Sequence, residues 1–183
     1  MIESLDSCLE FLRGWHPAEA QLGMTPSDLP SNVPAPLKDV YRVFGQTLES
    51  RGPGPFSAQD SLVPPSRLQW KSEECDVCWE NQGVWRAFIR TQEHDPEVFV
   101  DGPTGRAGRS EIRSLGVSLS SFLVALGLQE AALSSRWLAT ITSMPWPKLL
   151  SHPPSVLATN LQYAWQEERL SFYTCTRDFL IYE

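Results

Sequence analysis

The sequence has no apolar run approaching the roughly 20 residues that a bilayer-spanning helix requires. Its opening stretch, MIESLDSCLEFLRGW, carries acids where a secretory signal has basic residues. Both absences predict a cytoplasmic protein that does not enter membranes. Cysteine is scarce as well: Cys8, Cys75, Cys78 and Cys175 are too few and too scattered for a disulfide scaffold in a chain of 183 residues. Positive charge is in short supply, with 15 Lys and Arg against 22 Asp and Glu and a net charge of −7. Such a balance repels nucleic acid and anionic membranes and makes a basic protein the natural partner, although it also serves simply to keep a protein soluble. Missing too are the G-x-S-x-G elbow, the phosphate-binding G-x-x-x-x-G-K-[ST], the dinucleotide G-x-G-x-x-G and H-E-x-x-H, so the enzyme classes that use them lose support.

Cys75 and Cys78 form a C-x-x-C, a spacing used by redox and zinc sites. The surrounding Cys75-Asp76-Val77-Cys78-Trp79-Glu80 alternates like a strand, on which residues three apart point to opposite faces, so the two sulfurs are expected to diverge. His16, His94 and His152 supply no second ligand pair at zinc spacing. Buried packing is the expected role of these thiols, and no metal or cofactor is expected.

Apolar residues, by contrast, are plentiful. Hydrophobic residues make up 42%, including eight Phe and seven Trp, enough for one real core in one domain covering the whole chain. Ile2, Leu5, Leu9, Leu12 and Trp15 draw one stripe along a helix that Gly14 and Pro17 stop. The proline-dense stretch from Leu22 to Pro36 is an extended loop. Leu37, Val40, Tyr41 and Phe44 then mark a second helix, with Gly45 as its left-handed close. Residues 51–66 return to Gly and Pro and lead through a short edge strand toward Leu68 and Trp70.

The middle of the chain is β. Asp76–Glu80 and Val84–Arg90 flank Asn81-Gln82-Gly83 as an antiparallel hairpin, and a second pair begins at Val98-Phe99-Val100, turning at Gly102–Gly105. Ser118 N-caps a helix whose Leu119, Phe122, Leu123, Leu126 and Leu133 gather on one face to cover the sheet. Residues 144–155 are a loop, and Ser171–Cys175 with Phe179–Tyr182 make a terminal hairpin. Helices first, a meander sheet, a covering helix and a hairpin again constitute an α+β fold.

The polar clusters Glu93-His94-Asp95, Glu73-Glu74 and Glu167-Glu168 invite a catalytic role, since a His beside carboxylates could act as a general base. The first lies in a turn before Pro96 and the others carry no sign of burial, so solvated faces are expected and no catalytic residue is assigned.

Four segments in order carry a family likeness: Pro36–Gly45 with Tyr41, Phe44 and Gly45; Glu80-Asn81-Gln82-Gly83-Val84; Asp95-Pro96-Glu97-Val98-Phe99-Val100; and Ser118-Leu119-Ser120-Ser121-Phe122-Leu123. Across roughly residues 30–135 the chain resembles the SUKH superfamily, bacterial immunity proteins related to fungal cell-wall-assembly regulators. The resemblance implies an antiparallel sheet flanked by helices and a non-enzymatic protein that binds and neutralises a polymorphic toxin, with a basic nuclease the form suited to this charge. It points to Glu80, Gln82, Trp85 and Asp95 as partner contacts at one end or face of the sheet. Glu80 and Asn81 can equally fix the hairpin turn, and Trp85 can equally be core. A regulatory or scaffolding module for an endogenous protein and a cryptic hydrolase are the rival functions.

Overall fold

Ser4 opens the chain's first helix: in the computed structural model, which describes residues 1–50, 54–104, 109–134, 155–162, 169–176 and 179–182, its hydroxyl accepts from the Ser7 amide and Ser7 answers toward Ser4. The expected stripe becomes α1 (Leu5–Trp15), which buries Leu5, Cys8, Leu9 and Leu12 and runs through Gly14 before ending ahead of Pro17. The Leu22–Pro36 connection holds one 3-10 turn, Pro26–Asp28, rather than being extended throughout.

The second helix, α2 (Ala35–Ser50), continues past the expected stop at Gly45. Gly45 serves close approach instead, because a Cβ there would lie 2.6 Å from Met24 Cγ. The Leu22–Met24 segment runs against the helix backbone: Met24 N donates to Tyr41 O at 3.0 Å and Gln46 N to Leu22 O at 2.8 Å. Gly23 sits so close that an added Cβ would be 1.9 Å from Arg42 O. On its buried side Tyr41 donates its hydroxyl to Val63 O at 2.7 Å, which ties α2 to the sheet.

Helix α3 (Leu119–Leu133) starts as expected, with the Ser118 hydroxyl accepting from Ser121 N. It does not gather its apolar residues on one face. Val124, Ala125, Leu128 and Ala131 are buried along with Leu119, Phe122, Leu123 and Leu126, while Leu133 is half-buried, so α3 is enclosed on all sides. Its one buried charge is Glu130, at 0% exposure. The carboxylate accepts three consecutive backbone amides of the loop before the sheet, Ala58 at 2.5 Å, Gln59 at 2.6 Å and Asp60 at 3.1 Å. One turn back on α3, Gly127 leaves room for the buried Phe56 ring, whose atoms would lie 2.9 Å from an added Cβ. Phe56 takes a left-handed φ of 65°, a strain that the burial of its ring offsets.

The main sheet comprises β1 (Ser61–Leu62), β2 (Trp70–Lys71), β3 (Glu74–Trp79), β4 (Arg86–Ile89), β5 (Glu97–Thr104) and β6 (Arg109–Ser118). All pairings are antiparallel; β3 to β6 form the expected meander, and β1 and β2 both pair with β3. Gly102, Pro103 and Thr104 belong to β5 rather than to a turn, each paired across to β6, because Pro at a strand position loses only one donor. The C-terminal hairpin forms as β8 (Leu170–Thr176) and β9 (Phe179–Tyr182), and β7 (Ser155–Leu161), a strand sequence reading missed, extends it to three strands. Two register shifts in β7 blur the alternation that would have disclosed it. Of the expected 144–155 loop, residues 144–154 lie outside the described ones. Leu157, Ala158, Leu170 and Phe172 join the same apolar cluster as the main sheet and helices. No helix among the described residues is long and apolar enough to cross a membrane.

Gly23→Ala will destabilise the fold by about 3 kcal/mol, the upper part of the overpacking range; Gly14→Ala, with nothing within 4 Å, will stabilise it by about 0.5–1 kcal/mol, both measured by urea unfolding. Burial raises the Glu130 pKa from 4.5 to about 7, the Gln59 and Asp60 amides work to lower it, and the Asp60 charge raises it further. The folded state therefore holds this proton more tightly than the unfolded one. Its stabilising contribution is complete below about pH 4.5 and is lost as pH rises to about 7. Relative to Glu130→Gln, the wild-type chain will lose on the order of 3 kcal/mol across that window, followed by denaturant melts at a series of pH values.

Candidate protein-binding face

Strand β3 carries a bulge that decides which side chains share a face. Asp76 pairs with Phe88 and Cys78 with Ala87, leaving Val77 as the extra residue between them. Cys75, opposite Ile89, and Cys78, opposite Ala87, thus point to the same inner side, not to opposite ones as plain alternation predicted. Both are buried free thiols. Burial pushes Cys75 to about 11 and raises Cys78 well above its ordinary value, with the Asp60 and Glu130 charges adding to the latter. Protonated thiols of this kind are poor nucleophiles and poor metal ligands.

The outer side of the sheet then reads as rows across the strands. Trp79, Arg86, Asp101 and Ile112 form one row, and Asp76, Phe88, Phe99 and Ser114 the next. Arg86 occupies the centre, with Nη2 2.8 Å from Glu74, Nη1 2.5 Å from Asp76 and Nε 3.4 Å from Asp101. Its guanidinium lies 4.4 Å from the Phe88 centroid, and Arg90, 3.1 Å from Glu74, lies 4.7 Å from the Phe99 centroid. Phe88 and Phe99 stack at 5.8 Å, and Phe88 is completely buried beneath the guanidinium groups although it sits on the outer side. Desolvation opposes the Arg86 charge, but the hydrogen bonds to Glu74 and Asp76 outweigh it and raise the pKa. The hydrogen bond from Arg86 likewise lowers the pKa of Glu74, which is thus an ion-pair partner and not the freely solvated acid expected. Trp79 adds an indole N–H 3.3 Å from Asp76.

At one end of this face lies the hairpin turn. Glu80 Oε2 accepts from the Gln82 and Val84 amides, both at 2.9 Å, and Gly83 takes φ +70°. Asn81 and Gln82 are exposed at the tip, and Trp85, 9% exposed, belongs to the core cluster. Asp95 sits at the other end of β4, where its carboxylate accepts from Ser120 N at 2.8 Å and Ser120 Oγ at 2.6 Å, anchoring the start of α3. Pro96 O receives the Leu119 amide at 2.8 Å beside it. The four sequence-predicted contacts are thus divided: Glu80, Gln82 and Trp85 cluster at the turn end, and Asp95 lies across the length of β4 from them. Tyr41, Phe44, Leu119, Phe122 and Leu123 of the family-like segments are all buried.

The outer-face residues Glu74, Asp76, Trp79, Arg86, Phe88, Phe99, Asp101 and Ile112 escaped sequence reading. The period-two pattern Arg86-x-Phe88-x-Arg90, facing Phe99-x-Asp101, was the available signal.

Among the described residues no group of His, Cys, Asp and Glu could hold a metal ion. His94 lies exposed beside a cavity of about 250 Å³ that it shares with Gln92, Glu93 and the start of α2. Among the described residues the nearest approach to a catalytic array is Ser134 Oγ 3.3 Å from His16 Nε2, with His16 Nδ1 4.0 Å from Glu19. That last distance exceeds a hydrogen bond, and the group sits at the C-terminal ends of α1 and α3, where carbonyls repel a developing oxyanion. His152, Glu167 and Glu168 lie outside the described residues. Comparison with protein-family models, with curated proteins and with solved structures returned no significant match.

Arg86→Met will leave three carboxylates without their shared cation and destabilise the domain by about 1–2 kcal/mol, discounted for partial exposure; Arg86→Lys, lacking the planar fork, will restore under half of that loss in urea unfolding. The Glu74 contribution is present above the ordinary carboxylate range, begins to fall within it and is lost as pH drops through the lowered folded value beneath it, so the penalty of Arg86→Met will shrink on acidification.

Proposed function

We propose that this chain is a non-catalytic cytoplasmic domain that binds another protein and, in keeping with its SUKH-like segments, acts as an immunity protein that neutralises a basic, toxin-like partner. The observation that carries the reading is the outer sheet face: aromatic and apolar groups, Trp79, Val84 and Ile112, border a network of Glu74, Asp76 and Asp101 with Arg86 and Arg90, beside which Glu97 bonds Ser114. Val84 and Ile112 are 49% and 44% exposed, so they offer burial to a partner. Because Arg86 is already locked by its neighbours, the face is pre-organised and docking requires little ordering of side chains. Stable interfaces bury about 1,200–2,000 Å² around aromatic anchors, and Trp79 with the exposed Gln82 turn is the end of the face best suited to supply one. The excess of acid on the face, and in the chain as a whole, favours fast encounter with a basic surface.

Co-expression with the product of an adjacent toxin gene tests this. Protection from the toxin and recovery of a complex whose association slows in high salt are expected. Trp79→Ala will weaken the complex at least tenfold, and Gln82→Lys will slow association most at low salt, both read by surface plasmon resonance. Unchanged growth arrest together with no complex at low salt would overturn the proposal.

A further inference from the structure

The Arg86 guanidinium is satisfied in its own plane. Nε and Nη2 donate to Asp101 at 3.4 Å, Nη1 donates to Asp76 at 2.5 Å and Nη2 to Glu74 at 2.8 Å, four bonds on a fork of five N–H donors. Its inward side rests on Phe88, with Cζ 4.4 Å from the centroid of that buried ring. What remains is the outward π face, through which the side chain keeps its 30% exposure. The surrounding acids are equally engaged. Glu74 gives one oxygen to Arg86 and the other to Arg90; Asp76 gives one to Arg86 and the other to the Trp79 indole; Asp101 gives one to Arg86 and the other to the Ser110 hydroxyl. A docking lysine or arginine would compete with these donors, whereas a flat ring would disturb none of them. We propose, on the reading of this face as a protein-binding surface, that its central contact is an aromatic side chain of the partner protein. That ring stacks on the outward face of Arg86 and leaves the guanidinium between two rings.

Three features favour this occupant. A guanidinium is weakly hydrated compared with an ammonium and stacks readily on aromatic faces, so covering Arg86 costs little desolvation. The charges are complementary as well: the negative face of a ring meets the cation, and its positive edge points toward the carboxylates of Glu74, Asp76 and Asp101 around it. The neighbours also supply apolar contact. Trp79 and Ile112 stand at the two ends of the Trp79–Arg86–Asp101–Ile112 row, three strand spacings or about 14 Å apart, which leaves room for a ring lying flat between them. Ile112 is 44% exposed and would lose that exposure to the partner. Acidic charge then acts at long range to bring a basic partner in, while the ring on Arg86 holds it in place.

Titration of the full chain with indole, followed by NMR, tests the site before any partner is in hand. The Arg86 Nε–H and Ile112 methyl signals are expected to move upfield and saturate, because protons facing a ring are shielded by its current. Cyclohexanol, of similar bulk but without a π system, will leave them in place. Arg86→Met will weaken indole binding by about threefold or more, with the buried Leu123 and Val124 methyl signals reporting that the core is intact. Arg42→Met, which removes an arginine paired to Asp39 on α2, will bind indole as the wild-type chain does. Arg86 signals that stay fixed up to the solubility limit of indole, or that answer equally to cyclohexanol, would overturn the proposal. So would movement of those signals on raising the protein concentration alone, which would make a second copy the occupant. The two readings fail separately: indole stacking on Arg86 without a toxin complex sinks the immunity function and leaves the aromatic site standing, and a toxin complex without an indole response at Arg86 does the reverse.

Discussion

Helix α3 is apolar around its whole circumference, and the rest of the chain is arranged to enclose it. Cys8 of α1 approaches the Val124 carbonyl at 4.0 Å, Phe56 fills the space that Gly127 leaves, and residues of both sheets share its apolar cluster. A helix of this kind has no solvent face on which to place a charge. Glu130 is the exception, and its carboxylate is admitted only because three successive amides converge on it. Those amides belong to the loop whose Phe56 ring packs one turn away, so apolar and polar contacts fasten the same segment. Because that loop leads directly into β1, anything that loosens Glu130 is transmitted to the edge of the sheet.

The opposite side of the sheet solves a different problem. Two aromatic rings, Phe88 and Phe99, sit on a face that no helix among the described residues covers, and the Arg86 and Arg90 guanidinium groups lie over them. The arginines are held flat by Glu74, Asp76 and Asp101, which makes the acids part of the covering rather than free charges. The face is consequently rigid and amphipathic at once, a combination that suits recognition of a protein surface.

Local patterns foretold the order of elements because they depend on contacts within a few residues. The α1 stripe, the Asn81-Gln82-Gly83 turn, the Ser118 cap and the terminal hairpin are all of this type. Gly45 misled because glycine serves both as a helix stop and as a place for close packing, and only the position of Met24 distinguishes them. Cys75 and Cys78 are buried in the core as expected, but their sulfurs do not diverge. One extra residue at Val77 turns both sulfurs inward, and its place is set by the pairing of β3 with β4.

The candidate face shows the same division. Glu80 and Asp95 were selected for their place in short motifs, and the structure gives their carboxylates to the Gln82, Val84 and Ser120 amides. The Arg86 network joins residues from three strands, from Glu74 to Asp101, and its membership follows from strand register. By itself the sequence determined an acidic, aromatic-rich α+β chain, its helix starts and its hairpins, since periodicity and turn chemistry are short-range. Tertiary structure alone decided which charges meet, which thiols face inward and which glycines are indispensable, because those outcomes depend on strand registers and distances between elements remote in the chain.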